Sequence, residues 1–267
     1  MNQPLKQTRF SGKSPIGWLG GKRLLAHTII ERLPDHTAYV EVFAGAAWVL
    51  FSKQPSKVEI INDINGELVR FYRCVRQHLP ELLRQFEWQI VARDEWDALL
   101  AQPLDGLTDI QRAARFLYMV KTCFGARINK PSFGIQVSQP PRFNLSVLPQ
   151  VLEQARLRLQ RVTVENRPYD QVIERFDRLG TFFYVDPPYW GNEGDYGAGL
   201  FTREDFTQLA KQLSGIKGKC LVSLNDTPGV REVFGRHKCF KFEQVSTVYT
   251  VSAGEPKAVT ELLISNY

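Results

Sequence analysis

Apolar residues recur along this chain in two alternating rhythms. After Gly20-Gly21, the positions Leu24, Leu25, Ile29 and Leu33 fall at helical spacing and stop at Pro34, which predicts a helix behind a glycine loop. Residues 39–43 and 57–61 are short strand-like runs that end in Ala44-Gly45-Ala46 and Asn62-Asp63. Helical spacing returns from Leu68 to Val75. Between Pro80 and Phe124 it continues with no strand, Leu82, Leu83, Phe86 and Ile90 forming one stripe and Ile110, Ala114, Leu117, Val120 and Phe124 another. Residues 125–144 break the rhythm with Gly125, Pro131, Gly134, Pro140 and Pro141, and predict a long loop or hairpin of the kind that usually carries function.

Strand and helix then alternate again. Helices are expected at residues 146–159, 171–176 and 202–213, and strands at 162–165, 181–185, 219–224, 240–249 and 258–264. Such alternation predicts an α/β fold, a mostly parallel sheet with helices on both faces. Residues 1–79 and 146–267 are expected to form one domain, with residues 80–145 inserted as a helical and loop subdomain. The segment before Trp18 has no apolar period and reads as a loose arm.

Composition narrows the class. The 267 residues, 43% hydrophobic and 23% charged, match a globular protein and exclude a disordered one. No apolar run reaches the ~20 residues of a membrane span, and the polar start Met1-Asn2-Gln3-Pro4 lacks the features of a signal peptide, so a cytoplasmic protein with no membrane partner is expected. Cys74, Cys123, Cys220 and Cys239 are dispersed and form no C-x-x-C pair; buried reduced thiols and no metal are the expectation. A net charge of +6 permits a polyanionic partner, although many proteins that bind none are equally basic.

The sharpest chemical signal is Asp186-Pro187-Pro188-Tyr189, directly after the apolar run Phe182-Phe183-Tyr184-Val185. Open parallel sheets bind ligands at the carboxyl ends of their strands. Two prolines remove two backbone donors and leave the Pro187 carbonyl free to accept; an ionised Asp186 is acceptor-only, and Tyr189 offers a flat amphipathic face. That set suits an exocyclic amino group on a base that needs a stacking partner, although the bare tetrapeptide also reads as a strand-ending turn. Upstream, the strand with Glu41 and Phe43 runs into a small-residue turn at Gly45, where backbone can approach a ligand closely. Asp63, at the tip of the next strand, suits both hydroxyls of a ribose and equally the N-cap of the following helix. Trp18, Gly20, Gly21 and Lys22 precede a helix, where backbone N–H groups and the Lys22 cation fit a carboxylate.

Together these residues resemble the Dam-like (D12 class) DNA adenine N6-methyltransferases, and the resemblance covers nearly the whole chain. Trp18-x-Gly20-Gly21-Lys22 is similar to the family's N-terminal motif, residues 41–46 to its cofactor strand, Asp63-Ile64-Asn65 to its ribose motif and residues 186–189 to its catalytic motif; Leu224-Asn225-Asp226 and residues 257–263 resemble weaker features. The resemblance implies S-adenosyl-L-methionine held by Trp18, Gly20, Gly21, Lys22, Glu41, Phe43, Gly45, Asp63 and Asp186. It implies double-stranded DNA as substrate and an adenine flipped out of the duplex onto Tyr189 and methylated at N6 beside Asp186 and Pro187, and it leaves open whether a restriction endonuclease is a partner in the same system. Amino-group methylation of cytosine N4, of rRNA guanine N2 or of a protein glutamine uses similar tetrads, and an inactive DNA-binding relative would keep the same fold; Asp at position 186 and the motif order favour adenine. Several relatives place a lysine before the motif tryptophan and an arginine-tyrosine-asparagine hairpin in the recognition region. Gly17 and the run Arg127-Ile128-Asn129-Lys130 stand there instead, so recognition of GATC is not implied. In residues 125–142, Arg127 and Asn129 are candidates for base contacts and Lys130 and Arg142 for phosphates, against the alternative of a solvated basic loop.

Overall fold

Among the described residues, seven strands hydrogen-bond into one sheet: β1 (Ala38–Glu41), β2 (Val58–Asn62), β3 (Val162–Glu165), β4 (Thr181–Val185), β5 (Lys219–Asn225), β6 (Lys241–Tyr249) and β7 (Lys257–Ser265). Their order across the sheet is β3-β2-β1-β4-β5-β7-β6. The computed structural model describes residues 12–18, 20–126, 131–135, 140–197, 199–249 and 257–267; Arg127, Asn129 and Lys130 lie outside them. The first five strands in this order pair in parallel, whereas β7 runs antiparallel to both β5 and β6, so the sheet is mixed. From β1 the chain goes outward to β2, and the later strand β4 returns to the other flank of β1. That reversal opens a crevice at the carboxyl ends of β1 and β4.

Strand alternation divides the core into two layers. Tyr39, Ile61, Phe182, Tyr184, Leu221 and Leu263 face one side; Val40, Ile60, Phe183, Val185, Val222 and Leu262 face the other. Over the first side pack α1 (Ala26–Ile30), α2 (Trp48–Ser52), α3 (Gly66–Gln77), α6 (Asp109–Thr122) and α7 (Leu148–Leu159). The short α4 (Leu79–Arg84) and α5 (Arg93–Ala101) join the same core through Leu79, Leu82 and Trp96. Over the other side pack α8 (Tyr169–Phe176), α9 (Arg203–Ser214) and α10 (Pro228–Gly235).

Several expectations are corrected at this level. The first helix is shorter than its apolar stripe: Leu24 is half exposed, and a tight turn from Lys22 to Leu25 precedes the helix. The helices α2 and α10 do not stand out in the apolar pattern because they are short, although Thr227 and Pro228 are a capping residue and a first-turn proline. Cys239 is exposed, in the turn before β6, while the other three cysteines are buried. The long loop has a hairpin neck: Phe124 N–H donates to Ser132 O (2.8 Å) and Gly134 N–H to Thr122 O (2.7 Å). A Cβ on Gly134 would lie 2.8 Å from the Phe124 nitrogen, so this neck requires glycine. Phe133 fastens the neck to α5 through Trp96 and Arg93.

Beneath α2 and α7 lies a buried charged cluster. Glu59 on β2 pairs with Lys53 (2.5 Å) and accepts from Arg158 (2.8 Å to Oε1), while Arg158 also donates to Leu50 O (2.9 Å). Burial pushes the Glu59 carboxyl up, but the two cations outweigh it and hold it below its ordinary value. Glu59→Ala leaves two cations buried without their anion and is expected to cost about 3–5 kcal/mol in urea unfolding at pH 7. Because the folded pKa is depressed, this contribution is complete above the unfolded carboxyl value and is lost as pH falls through the folded one, so the gap between wild type and variant should narrow in acid.

Candidate active site

The crevice is built from three strand tips. Beyond β1 the chain turns at Gly45, whose φ of +47° favours glycine and whose Cβ, if present, would lie 2.7 Å from the Trp18 indole. The Gly45 N–H donates to Asp63 Oδ2 (2.9 Å) and its carbonyl accepts from Tyr72 (2.7 Å). Ala47 also has a positive φ, +49°, unusual for a residue with a Cβ, so the turn stores strain beside the crevice. Asp63 is not the N-cap of α3. Its Oδ1 accepts from Asn65 N–H (2.9 Å), and Asn65 does the capping, accepting from Glu67 N–H (3.0 Å) and Leu68 N–H (3.2 Å). The helix begins at Gly66, too late for Asp63 to serve. Asp63 thus accepts from the backbone N–H groups of Gly45, Ile64 and Asn65, and a carboxylate with about four lone-pair sites keeps acceptor capacity toward the crevice.

The third tip is Asp186, just past β4. Lys22, only 3% exposed, reaches its Oδ1 at 2.6 Å and donates to Gly20 O at 3.1 Å. The Lys22 ammonium also sits 4.7 Å from the centroid of the Tyr189 ring. The carboxylate that Lys22 meets is thus the protein's own, and the N-terminal and Asp186 motifs form one cluster. Three side chains on a single face of the β5–β7 ladder hold the tetrapeptide from below. Ser223 donates to Asp186 Oδ1 (3.0 Å); Asn225 accepts from Trp190 N–H (3.0 Å) and donates to Trp190 O (2.9 Å); Glu261, opposite Asn225 in register, accepts from the Tyr189 hydroxyl. Asp226 points elsewhere, pairing with Arg231 (2.6 Å).

These groups surround a cavity that opens to solvent. Trp18, Gly20, Gly21, Lys22, Glu41, Phe43, Gly45, Asp63 and Asp186 all line it, together with Pro188 and Tyr184. Phe201 and Ile64 add apolar walls, and Phe43 is backed by Tyr169 at a centroid distance of 5.6 Å. Tyr189 joins the cluster through Lys22 and Glu261, and Pro187 is buried. Arg142 is not part of this site: it is exposed and lines a separate hollow at the hairpin neck with Phe124, Gly134 and Ile135.

Burial governs the charges. It raises the Asp186 carboxyl, an effect opposed by Lys22 and Ser223 and reinforced by Glu261. Burial likewise raises Asp63 against its backbone donors. Glu41, which accepts from Tyr39 (2.8 Å) and Leu50 N–H (3.1 Å), is pushed up to about 8, chiefly by burial. Sequence reasoning missed Ser223 as a site residue, and it quoted Asn225 and Glu261 only as weaker family features. The signal for Ser223 and Glu261 was a polar residue inside an apolar strand run.

A cavity at the strand-order reversal, lined by carboxyl side chains at three strand tips, lies where α/β folds bind their ligands. The sequence profile of the D12 class N6 adenine-specific DNA methyltransferases matches residues 18–251, and the chain belongs to that family. It is similar to the Type II methyltransferase M.CviBI of Paramecium bursaria Chlorella virus NC1A, 25% identical over 96% of this chain and 100% of the relative. It is also similar to the Type II methyltransferase M.MjaIII of Methanocaldococcus jannaschii, 25% identical over 94% and 98% of the two chains. A third relative, the DNA adenine methylase of Escherichia coli, is 27% identical over 93% of each chain. The protein is a site-specific adenine DNA methyltransferase, acts on DNA and requires a methyl donor of the S-adenosylmethionine type. Among the described residues, no helix is long and apolar enough to cross a membrane and no group of side chains could hold a metal ion.

The Glu41 environment carries a pH signature. A carboxyl raised to about 8 binds its proton more tightly folded than unfolded, so its stabilising contribution is complete below the unfolded pKa and is lost as pH rises through the folded one. Wild-type stability should therefore decline between pH 6 and 8, by up to about 1.4 kcal/mol per pH unit from this group. Glu41→Gln, which cannot titrate, should flatten that decline in thermal unfolding across the same range; an equal decline in both proteins would refute the assignment.

Proposed function

We propose that this cavity binds S-adenosyl-L-methionine and that a flipped-out adenine enters beside it, between Asp186 and Tyr189. The observation that carries the reading is the convergence of Gly45, Asp63, Lys22 and Asp186 on one cavity. The donor set fits the cofactor. Asp63 retains lone pairs for ribose hydroxyls, and Phe43, Ile64 and Phe201 offer apolar faces to its base. Trp18, Gly20 and Gly21 line the far wall, and Glu41, protonated at neutral pH, adds a polar group from β1. When bound, the cofactor supplies an electrophilic methyl group on a sulfonium.

The chain's own residues act on the base. Adenine N6 is a weak nucleophile because its lone pair is delocalised into the ring. Asp186 and the Pro187 carbonyl accept the two amino hydrogens and favour a geometry in which that lone pair is localised toward the methyl carbon. Tyr189, its hydroxyl held by Glu261, stacks on the extruded base. Catalysis is positioning and electrostatics, with no covalent enzyme intermediate. We further propose that residues 80–145 form the target-recognition unit, with Arg127 and Asn129 on base edges and Lys130 and Arg142 on phosphates. The exposure of Arg142 and the hairpin neck at residues 122–134 support this. The Type II names of two relatives support a companion restriction endonuclease.

Asp186→Ala should lower turnover by orders of magnitude in a protein that stays folded. Asp63→Ala should weaken S-adenosylmethionine binding by about 1.5–3 kcal/mol, the range for hydrogen bonds to charged groups, with DNA affinity changed less. Labelled methyl transfer and calorimetry on the two variants test the site: near-normal turnover in the first, or unchanged cofactor affinity in the second, would sink the assignment.

Recognition is tested separately by sequencing DNA methylated by each variant. Arg127→Ala should relax the preferred sequence at one position, worth about 1–3 kcal/mol of discrimination, whereas Lys130→Ala should weaken all DNA alike and reduce the salt dependence. An unchanged methylated motif in both Arg127→Ala and Asn129→Ala would place the reader outside this hairpin.

A further inference from the structure

Ser223 stands where the β5 pattern calls for an apolar side chain. Its neighbours Val222 and Leu224 are buried in the layer beneath, Leu221 lies in the layer above, and Ser223 itself is wholly buried. A hydroxyl there needs partners. Its Oγ lies 3.0 Å from Asp186 Oδ1 and 2.9 Å from the Tyr184 hydroxyl. An ionised carboxylate only accepts, so Ser223 spends its one hydrogen on Asp186 and Tyr184 donates to Ser223. The relay therefore runs from Tyr184 to Ser223 to Asp186. Lys22 approaches the same oxygen, Oδ1, at 2.6 Å. Among the described residues Asp186 Oδ2 has no partner, and Asp186 lines the cavity.

A carboxylate gripped through one oxygen by two donors from different elements cannot rotate without breaking both bonds. We propose that Ser223, with Tyr184 behind it, is a positioning residue that locks Asp186 so that Oδ2 alone receives the adenine amino hydrogen. The inference rests on the reading that Asp186 is that acceptor. It assigns work to a residue on β5 that touches neither cofactor nor base. It also accounts for a buried tyrosine–serine pair that sheet packing alone does not require.

The groups facing Asp186 are Lys22 from the segment before α1, Glu41 from β1, Glu261 from β7 and the phenol of Tyr184 on β4. Ser223→Ala leaves all of them in place and removes one donor that favours the ionised form. The Asp186 pKa should rise, and because only the ionised form accepts through both oxygens, the acidic limb of the kcat–pH profile should move to higher pH. At neutral pH kcat should fall about tenfold to a hundredfold, the worth of a hydrogen bond to a charged group, while KM for DNA and for S-adenosylmethionine stays within about twofold. Tyr184→Phe, which keeps the Ser223 bond to Asp186, should shift both quantities in the same direction by less.

The test is steady-state methyl transfer to unmethylated DNA with radiolabelled S-adenosylmethionine, from pH 5.5 to 9, for wild type, Ser223→Ala, Tyr184→Phe and Asp186→Ala. A lowered kcat with both KM values held and the acidic limb displaced supports the proposal. A lowered kcat with the limb unmoved, or with both KM values rising in step, marks a merely structural role and overturns it, as do wild-type kinetics in Ser223→Ala. Near-normal turnover in Asp186→Ala would instead defeat the reading of Asp186 itself; an inactive Asp186→Ala beside a wild-type Ser223→Ala defeats the Ser223 inference alone.

Discussion

Parallel pairing of β1 with β4 sets the geometry on which the rest of the molecule depends. It places Glu41 beside Tyr184 in register and so brings the tips of the two strands to the same edge of the sheet. With β2 paired on the other flank of β1, Asp63 arrives at that edge too. A parallel pair demands a long crossover, and the chain between β2 and β4 holds the helical insertion and its hairpin. The parallel pairing thereby delivers three acidic side chains to one cavity.

Collecting carboxyls in a buried cavity is unfavourable unless each is compensated, and the compensation differs at each strand tip. Asp63 is held by backbone N–H groups of the turns at residues 45 and 65. Glu41 keeps its proton, held at about 8. Asp186 alone has a cation, Lys22, delivered from the glycine turn of the N-terminal motif. Burial, the largest effect, raises the Asp186 carboxyl, and the Lys22 ammonium at 2.6 Å is the strongest influence opposing it. The cation that the sequence offered for a ligand carboxylate is thus engaged with the protein's own Asp186.

Much of this was legible in the sequence because the fold writes itself in two periods. The runs at β3 and β4 have the boundaries that alternation predicts, and the stripe of α6 marks a helix buried almost all round. The motif residues Gly45, Asp63 and Asp186 fall in turns after β1, β2 and β4, and strand ends are where the edge of a parallel sheet must lie. What the pattern hides is partnership. The choice of Asn65 over Asp63 as cap is settled by a helix start that differs by two residues, and the pairing of Lys22 with Asp186 joins positions 164 residues apart, by subtraction of their numbers. Arg127, Asn129 and Lys130 stay at the level of sequence, outside the described residues.

The reversed strand β7 explains how a parallel sheet can steady an extended Pro-Pro segment. Beyond β4 the chain leaves the sheet, and its two prolines cannot donate to a neighbouring strand. Support must therefore come from side chains of the strands that continue past that edge. A β5 of seven residues runs on to Asn225, and only an antiparallel neighbour enters at the same edge, bringing Glu261 opposite Asn225 at the height of Tyr189. Side chains two apart on β5 and one on β7 then hold residues 186, 189 and 190 from one face. In the antiparallel strand it is a mid-strand residue, Glu261, that faces Asn225 and reaches the Tyr189 hydroxyl.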